Sequence, residues 1–183
     1  MNKEFDYKKY FDDFVKDNYI TATMDFHMPE GYETANGMYD DENNTLYINK
    51  KVLENASKYE KAFYLFHELR HAMQYTLPSC FSNCIQKSLG YVIQYDGTCY
   101  RRVGEDYLEC RLEDSKEDWK NLYLGQPHEV DANTYAYERV KKIFGDSQEL
   151  ERLYNFWMPK KRISEEEYLR IFKEIDSKTG DVY

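Results

Sequence analysis

Two of the four histidines in this 183-residue chain fall within one run of five, His67-Glu68-Leu69-Arg70-His71. On a helix, residues i and i+4 share a face, so both imidazoles can offer a nitrogen to one metal ion. Glu68 then stands beside that ion, where a carboxylate can take a proton from a water the metal activates. Shuffling a chain of this composition yields such a run in about one case in a hundred, so its surroundings must support it.

They do. Residues 58–75 contain no Gly or Pro and carry Ala62, Leu65, Phe66, Leu69, Ala72 and Met73 at the spacing of a buried helix face. Ser57 suits the N-cap, Glu60 completes a capping box, and Pro78 marks the end. His67 and His71 flank the apolar stripe. A catalytic zinc site needs a third protein ligand and an open fourth position. The source is the run Pro127-His128-Glu129-Val130-Asp131-Ala132-Asn133, which opens a helix closed by Gly145. Glu129, Ala132, Asn133, Ala136, Val140 and Ile143 share one face of it, whereas Asp131 projects from the opposite side and His128 from the flank. Helical geometry therefore favours Glu129 as the third ligand, with Asp131 and His128 as alternatives. Asn133, or failing it Asp131, is placed to hydrogen-bond a ligand from outside.

These residues resemble the gluzincin metallopeptidases, in which H-E-x-x-H on one helix is joined by a glutamate on a second helix downstream. The closest resemblance is to the ImmA/IrrE-like metallopeptidases, whose second motif runs approximately E-x-x-A-N, as Glu129 to Asn133 do. Gly37-Met38-Tyr39, the polar turn Asp40–Asn44 and the segment Thr45-Leu46-Tyr47-Ile48-Asn49 also resemble that family, in which a short strand ending in Ile-Asn precedes the active-site helix. The resemblance covers residues 36–76 and 127–144, and Arg70 stands where the family usually has Gly. It implies a minimal zincin-like core, a small sheet packed on the H-E-x-x-H helix and the glutamate helix, and one Zn2+ ion. It also implies a regulatory endopeptidase with a narrow range of protein substrates. Glu68 would act as general base and return the proton to the leaving amine. His128 or a tyrosine from residues 72–126 would steady the oxyanion. The strand at Leu46–Ile48 would pair with an extended substrate.

The remaining elements fit an α+β fold in one domain, residues 1–183. Its parts are a helix at 3–17, strands near 20–26 and 44–49, and the motif helix. An insertion between the metal motifs, 72–126, holds a hairpin (Gly90–Tyr95 with Thr98–Val103, turning at Asp96-Gly97) and a short helix around 115–122. The glutamate helix follows, and C-terminal helices near 147–157 and 164–176 fill residues 146–183. A hydrophobic content of 42% is enough for a packed core. Nineteen tyrosines serve amphipathic packing, burying a ring while keeping a polar tip.

A net charge of −9 argues against nucleic acid as a partner, because Lys8-Lys9, Lys50-Lys51 and Lys160-Lys161-Arg162 are too short to form a basic patch. The charged N-terminus does not read as a signal peptide, and no run of apolar residues would span a membrane. The expected location is therefore cytoplasmic, with Cys80, Cys84, Cys99 and Cys110 as free thiols. A di-iron bundle would need a second Glu-x-x-His beside Glu68-Leu69-Arg70-His71, and neither His27 nor His128 supplies it. The alternative to a hydrolase is a non-hydrolytic zincin scaffold that binds a partner, for which an intact Glu68 has no evident use.

Overall fold

The computed structural model describes residues 5–112 and 118–180. In chain order its elements begin α1 (Tyr7–Asn18), β1 (Thr23–Asp25), β2 (Gly37–Asp40), β3 (Thr45–Ile48), α2 (Lys58–Thr76), α3 (Asn83–Ser88) and β4 (Tyr91–Ile93). They continue β5 (Thr98–Val103), β6 (Asp106–Arg111), α4 (Trp119–Leu124), α5 (Pro127–Phe144), α6 (Gln148–Trp157) and α7 (Glu165–Thr179). The fold is mixed α+β with two small sheets. The chain forms two compact units, residues 1–78 with 132–156 and residues 79–131 with 157–183. No helix among the described residues is long and apolar enough to cross a membrane.

The first unit is built around α2. Ser57 Oγ accepts from the amides of Tyr59 and Glu60, satisfying two donors that the first turn leaves open. The face of α2 that carries Ala62, Phe63, Leu65, Phe66, Leu69 and Ala72 is at most 1% exposed. The helix closes where the Leu77 amide bonds to the Met73 carbonyl, one residue before Pro78. Against α2 lie β2, β3 and α1. The expected first helix starts at Tyr7, because the Asp6 side chain caps it by accepting from the Lys9 amide, and residues 3–4 lie outside the described chain. Phe14 of α1 packs on Phe66 and Tyr135.

The sheet of this unit runs β1-β3-β2, with β1 parallel to β3 and β2 antiparallel to it. A turn at residues 41–44 joins β2 to β3, with Asp40 Oδ1 accepting from the amides of Glu42 and Asn43 and with Asn44 at φ 55°. Buried Asn49, just past β3, donates from Nδ2 to the carbonyls of Glu33 and Ala35 and so ties down the loop that leads into β2. Since β3 is bonded on both edges, it cannot also pair with an extended substrate, and that expectation moves to an edge strand. Helix α5 is unbroken from Pro127 to Phe144, and its part in this unit buries Ala132, Asn133, Ala136 and Val140. Gly145, at φ 83°, ends it.

The second unit has the sheet order β4-β5-β6. The expected hairpin is β4 with β5, closed by the Gln94 amide on the Thr98 carbonyl and by Gly97 at φ 84°. A second hairpin, β5 with β6, turns at Gly104-Glu105, and neither β6 nor α3 is part of the sequence expectation. The short helix is Trp119–Leu124, and residues 113–117 lie outside the described chain. Tyr168 and Phe172 of α7, Ile93, Cys99 and Leu122 form the centre of this core. The Tyr168 hydroxyl donates to the Leu122 carbonyl, and Tyr91 stacks on Phe172 while donating to Asp176.

Candidate metal centre

Helix α2 sets His67 and His71 one turn apart, and their Nε2 atoms approach to 3.0 Å with the ring planes at 86°. Two nitrogens aimed at one point are the donor half of a metal site. His71 is 9% exposed, and its Nδ1 lies 2.8 Å from Oε1 of Gln74, which is fully buried one turn further along α2. The sequence reading missed Gln74, although its i+3 spacing from His71 could have revealed it.

Glu129, in the first turn of α5, supplies the third group. One ligand atom each from His67, His71 and Glu129 lie within 4.8 Å of one another, and this group could hold a metal ion. Among the described residues, no other set of His, Cys, Asp or Glu side chains gathers in this way. Of the three candidates for third ligand, the structure brings Glu129 to the histidines and leaves Asp131 and His128 out of the group. His128 lies beside it: Nδ1 is 3.0 Å from Ser88 Oγ, and Nε2 is 3.5 Å from Glu129 Oε1. Because the Ser88 hydroxyl donates to the Ile85 carbonyl, its oxygen is left to accept from His128 Nδ1. The ring is thereby aimed at the Glu129 carboxylate. Asn133 is buried on α5 one turn beyond Glu129, and Asp131 is half-buried.

Two further groups stand nearby in chemistry. Glu68 is 8% exposed, an uncommon degree of burial for a carboxylate. Its Cγ lies 2.9 Å, and its Oε1 3.2 Å, from the point where a Cβ on Gly37 would sit. Only a residue without a side chain lets β2 pass so close to Glu68, a requirement that the Gly37-Met38-Tyr39 run does not advertise. Tyr95, in the loop between β4 and β5, packs its ring on Tyr123 with centroids 4.0 Å apart. Burial pushes the Tyr95 phenol above its ordinary pKa, a hydrogen bond with Tyr123 opposes this, and the Glu129 carboxylate adds to the rise. Arg70 stacks its guanidinium 4.7 Å over the ring of Tyr135.

The four cysteines are free, with Cys80 exposed, Cys84 and Cys99 buried and Cys110 half-buried. No family model matches the chain, and no curated protein or solved structure matches it either. The case for a function rests on the geometry of these side chains.

Proposed function

We propose that this chain is a zinc-dependent metallopeptidase of the gluzincin type, akin to the ImmA/IrrE-like enzymes, built on a minimal zincin core. The observation that carries the reading is the convergence of His67, His71 and Glu129, with ligand atoms mutually within 4.8 Å, next to a buried Glu68. The donor set fits zinc: two imidazole nitrogens and one carboxylate oxygen, which together leave a divalent ion with net positive charge. A zinc ion bound there supplies Lewis acidity, lowering the pKa of a bound water towards about 7 and polarising a substrate carbonyl.

The chain's own residues do the rest. Glu68 accepts the proton of the attacking water as the carbon–oxygen bond forms, and delivers it to the amide nitrogen as the carbon–nitrogen bond breaks. Its burial against Gly37 fixes where that carboxylate can reach. His128, held by Ser88 at Nδ1, lies with Nε2 3.5 Å from Glu129 Oε1 and supports that ligand when both ring nitrogens carry a proton. A tyrosine of the insertion or His128 would donate to the developing oxyanion. An extended peptide is the fitting substrate. Among the described residues the outer edge of β2 in the sheet β1-β3-β2 has no strand beside it, and β2 is the strand that runs past Glu68.

The test is Glu68→Gln. It should retain zinc, measured by metal analysis, and lose hydrolysis of a peptide library that the wild type cleaves. Equal turnover by wild type and Glu68→Gln would remove Glu68 as base. A wild-type protein that binds zinc and cleaves nothing would instead favour the non-hydrolytic scaffold.

A further inference from the structure

We propose that Gln74 is a positioning residue for the metal centre, holding His71 in the tautomer that turns its Nε2 lone pair toward His67. The inference rests on the metal-site reading above and concerns a contact made within α2 itself. His71 Nδ1 and Gln74 Oε1 are 2.8 Å apart, a full-strength hydrogen bond between two side chains that are 9% and 0% exposed. A neutral imidazole carries one proton, on one nitrogen or the other. With the proton on Nδ1 donated to Oε1, Nε2 is left with a lone pair and can ligate. With the amide turned the other way, its NH2 would donate to Nδ1 and the ring proton would sit on Nε2. That proton would point at His67 Nε2, only 3.0 Å away, and block the site.

Gln74 is 0% exposed, and the contact with His71 gives its amide oxygen a polar partner there. On the buried side of α2 it lies one turn from His71 and near Leu69 and Ala72, and a buried amide is costly unless it is hydrogen-bonded. An amide acceptor also differs from a carboxylate in its effect on charge. It orients His71 without adding a further negative charge to those of the Glu129 and Glu68 carboxylates.

The experiment measures the tautomer directly, without hydrolysis. Long-range proton–nitrogen correlation spectra of 15N-labelled, metal-free protein should show His71 with its proton on Nδ1 in the wild type and in Gln74→Glu. In Gln74→Met, which keeps the length of the side chain and removes the acceptor, the population should move toward the Nε2–H form. Zinc titration should show Gln74→Met binding roughly 10–100-fold more weakly than wild type, with Gln74→Glu restored to within a few-fold. An Nε2–H tautomer in the wild type, or a Gln74→Met protein with unchanged tautomer and unchanged zinc affinity, would overturn the proposal. Should Gln74→Met fail to fold, the wild-type and Gln74→Glu spectra still decide the tautomer. A wild type with the expected tautomer that takes up no zinc would defeat the metal reading and leave the orienting role of Gln74 standing.

Discussion

Replacing Gly37 by alanine tests whether β2 holds Glu68 in its working place. The added Cβ would meet Glu68 Cγ at 2.9 Å, the Tyr47 carbonyl oxygen at 3.1 Å and Glu68 Oε1 at 3.2 Å. The first contact is closer than real Cβ atoms come, and the second is with the backbone of β3, which is hydrogen-bonded on both sides. Relief must therefore come from Glu68 turning away or from β2 lifting off α2. Overpacking of this kind costs about 1–3 kcal/mol of stability. The loss in rate should be larger, because a displaced general base forfeits about 10²–10⁴-fold, or about 2.7–5.4 kcal/mol of barrier at 1.36 kcal/mol per tenfold. Zinc content should stay at the wild-type level, since His67, His71 and Glu129 are not among the atoms a Cβ at position 37 would meet. The assay pairs kcat on a cleaved peptide with metal analysis and denaturant unfolding. Gly90→Ala is the control, its Cβ meeting nothing closer than the Lys87 carbonyl oxygen at 3.5 Å. A Gly37→Ala protein with wild-type kcat would refute the reasoning. One that loses zinc in step with activity would show that β2 supports the ligand helix and not the base.

Removing the third ligand should separate two acidic residues on α5: Glu129→Ala is expected to weaken zinc binding at least tenfold, while Asp131→Ala, outside the group, stays near wild type in the same titration. Thiol reagents at pH 8 should modify Cys80 quickly in the native protein and leave Cys99 untouched until unfolding, because Cys80 is exposed whereas burial pushes the Cys99 thiol up to about 12. A fast reaction mapped to Cys99 by mass spectrometry would contradict that burial. Ser57→Ala removes the cap of α2 and should cost about 1 kcal/mol in denaturant unfolding. An unchanged midpoint would mean that the tertiary packing of α2, not its cap, fixes where it starts.

What was legible in the sequence shares one property: its signal is local. The motif helix announced itself by a 3.6-residue apolar rhythm and a Ser57 cap, and α7 by the Ser164 cap, whose Oγ accepts from the Glu167 amide. Glu129 was legible because helical periodicity orders the faces of one element. The β4–β5 hairpin followed from Gly97 in the left-handed region that its turn needs. By contrast α3, six residues held by a Ser82 cap, is too short to show periodicity. In β6 Glu109 and Arg111 face solvent and Cys110 faces inward, a pattern that reads equally as a polar loop.

The illegible features of the site are those whose meaning lies in a partner. Gly37 matters because of Glu68, thirty-one positions away by number and in contact only once β2 lies on α2. The central place of β3 is likewise a property of the sheet, which only the parallel pairing with β1 reveals. Gln74 is a different case, since its partner was within reach on the same helix. A polar residue in a run of apolar ones invites the assumption that it faces solvent, and here the assumption fails: Gln74 is fully buried with its Oε1 2.8 Å from His71 Nδ1. A buried amide one turn from a candidate ligand is thus informative for the reason that it breaks the apolar pattern. The same reasoning makes buried Glu68 informative: a buried carboxylate beside two histidines is a costly group that the proposed chemistry would put to use.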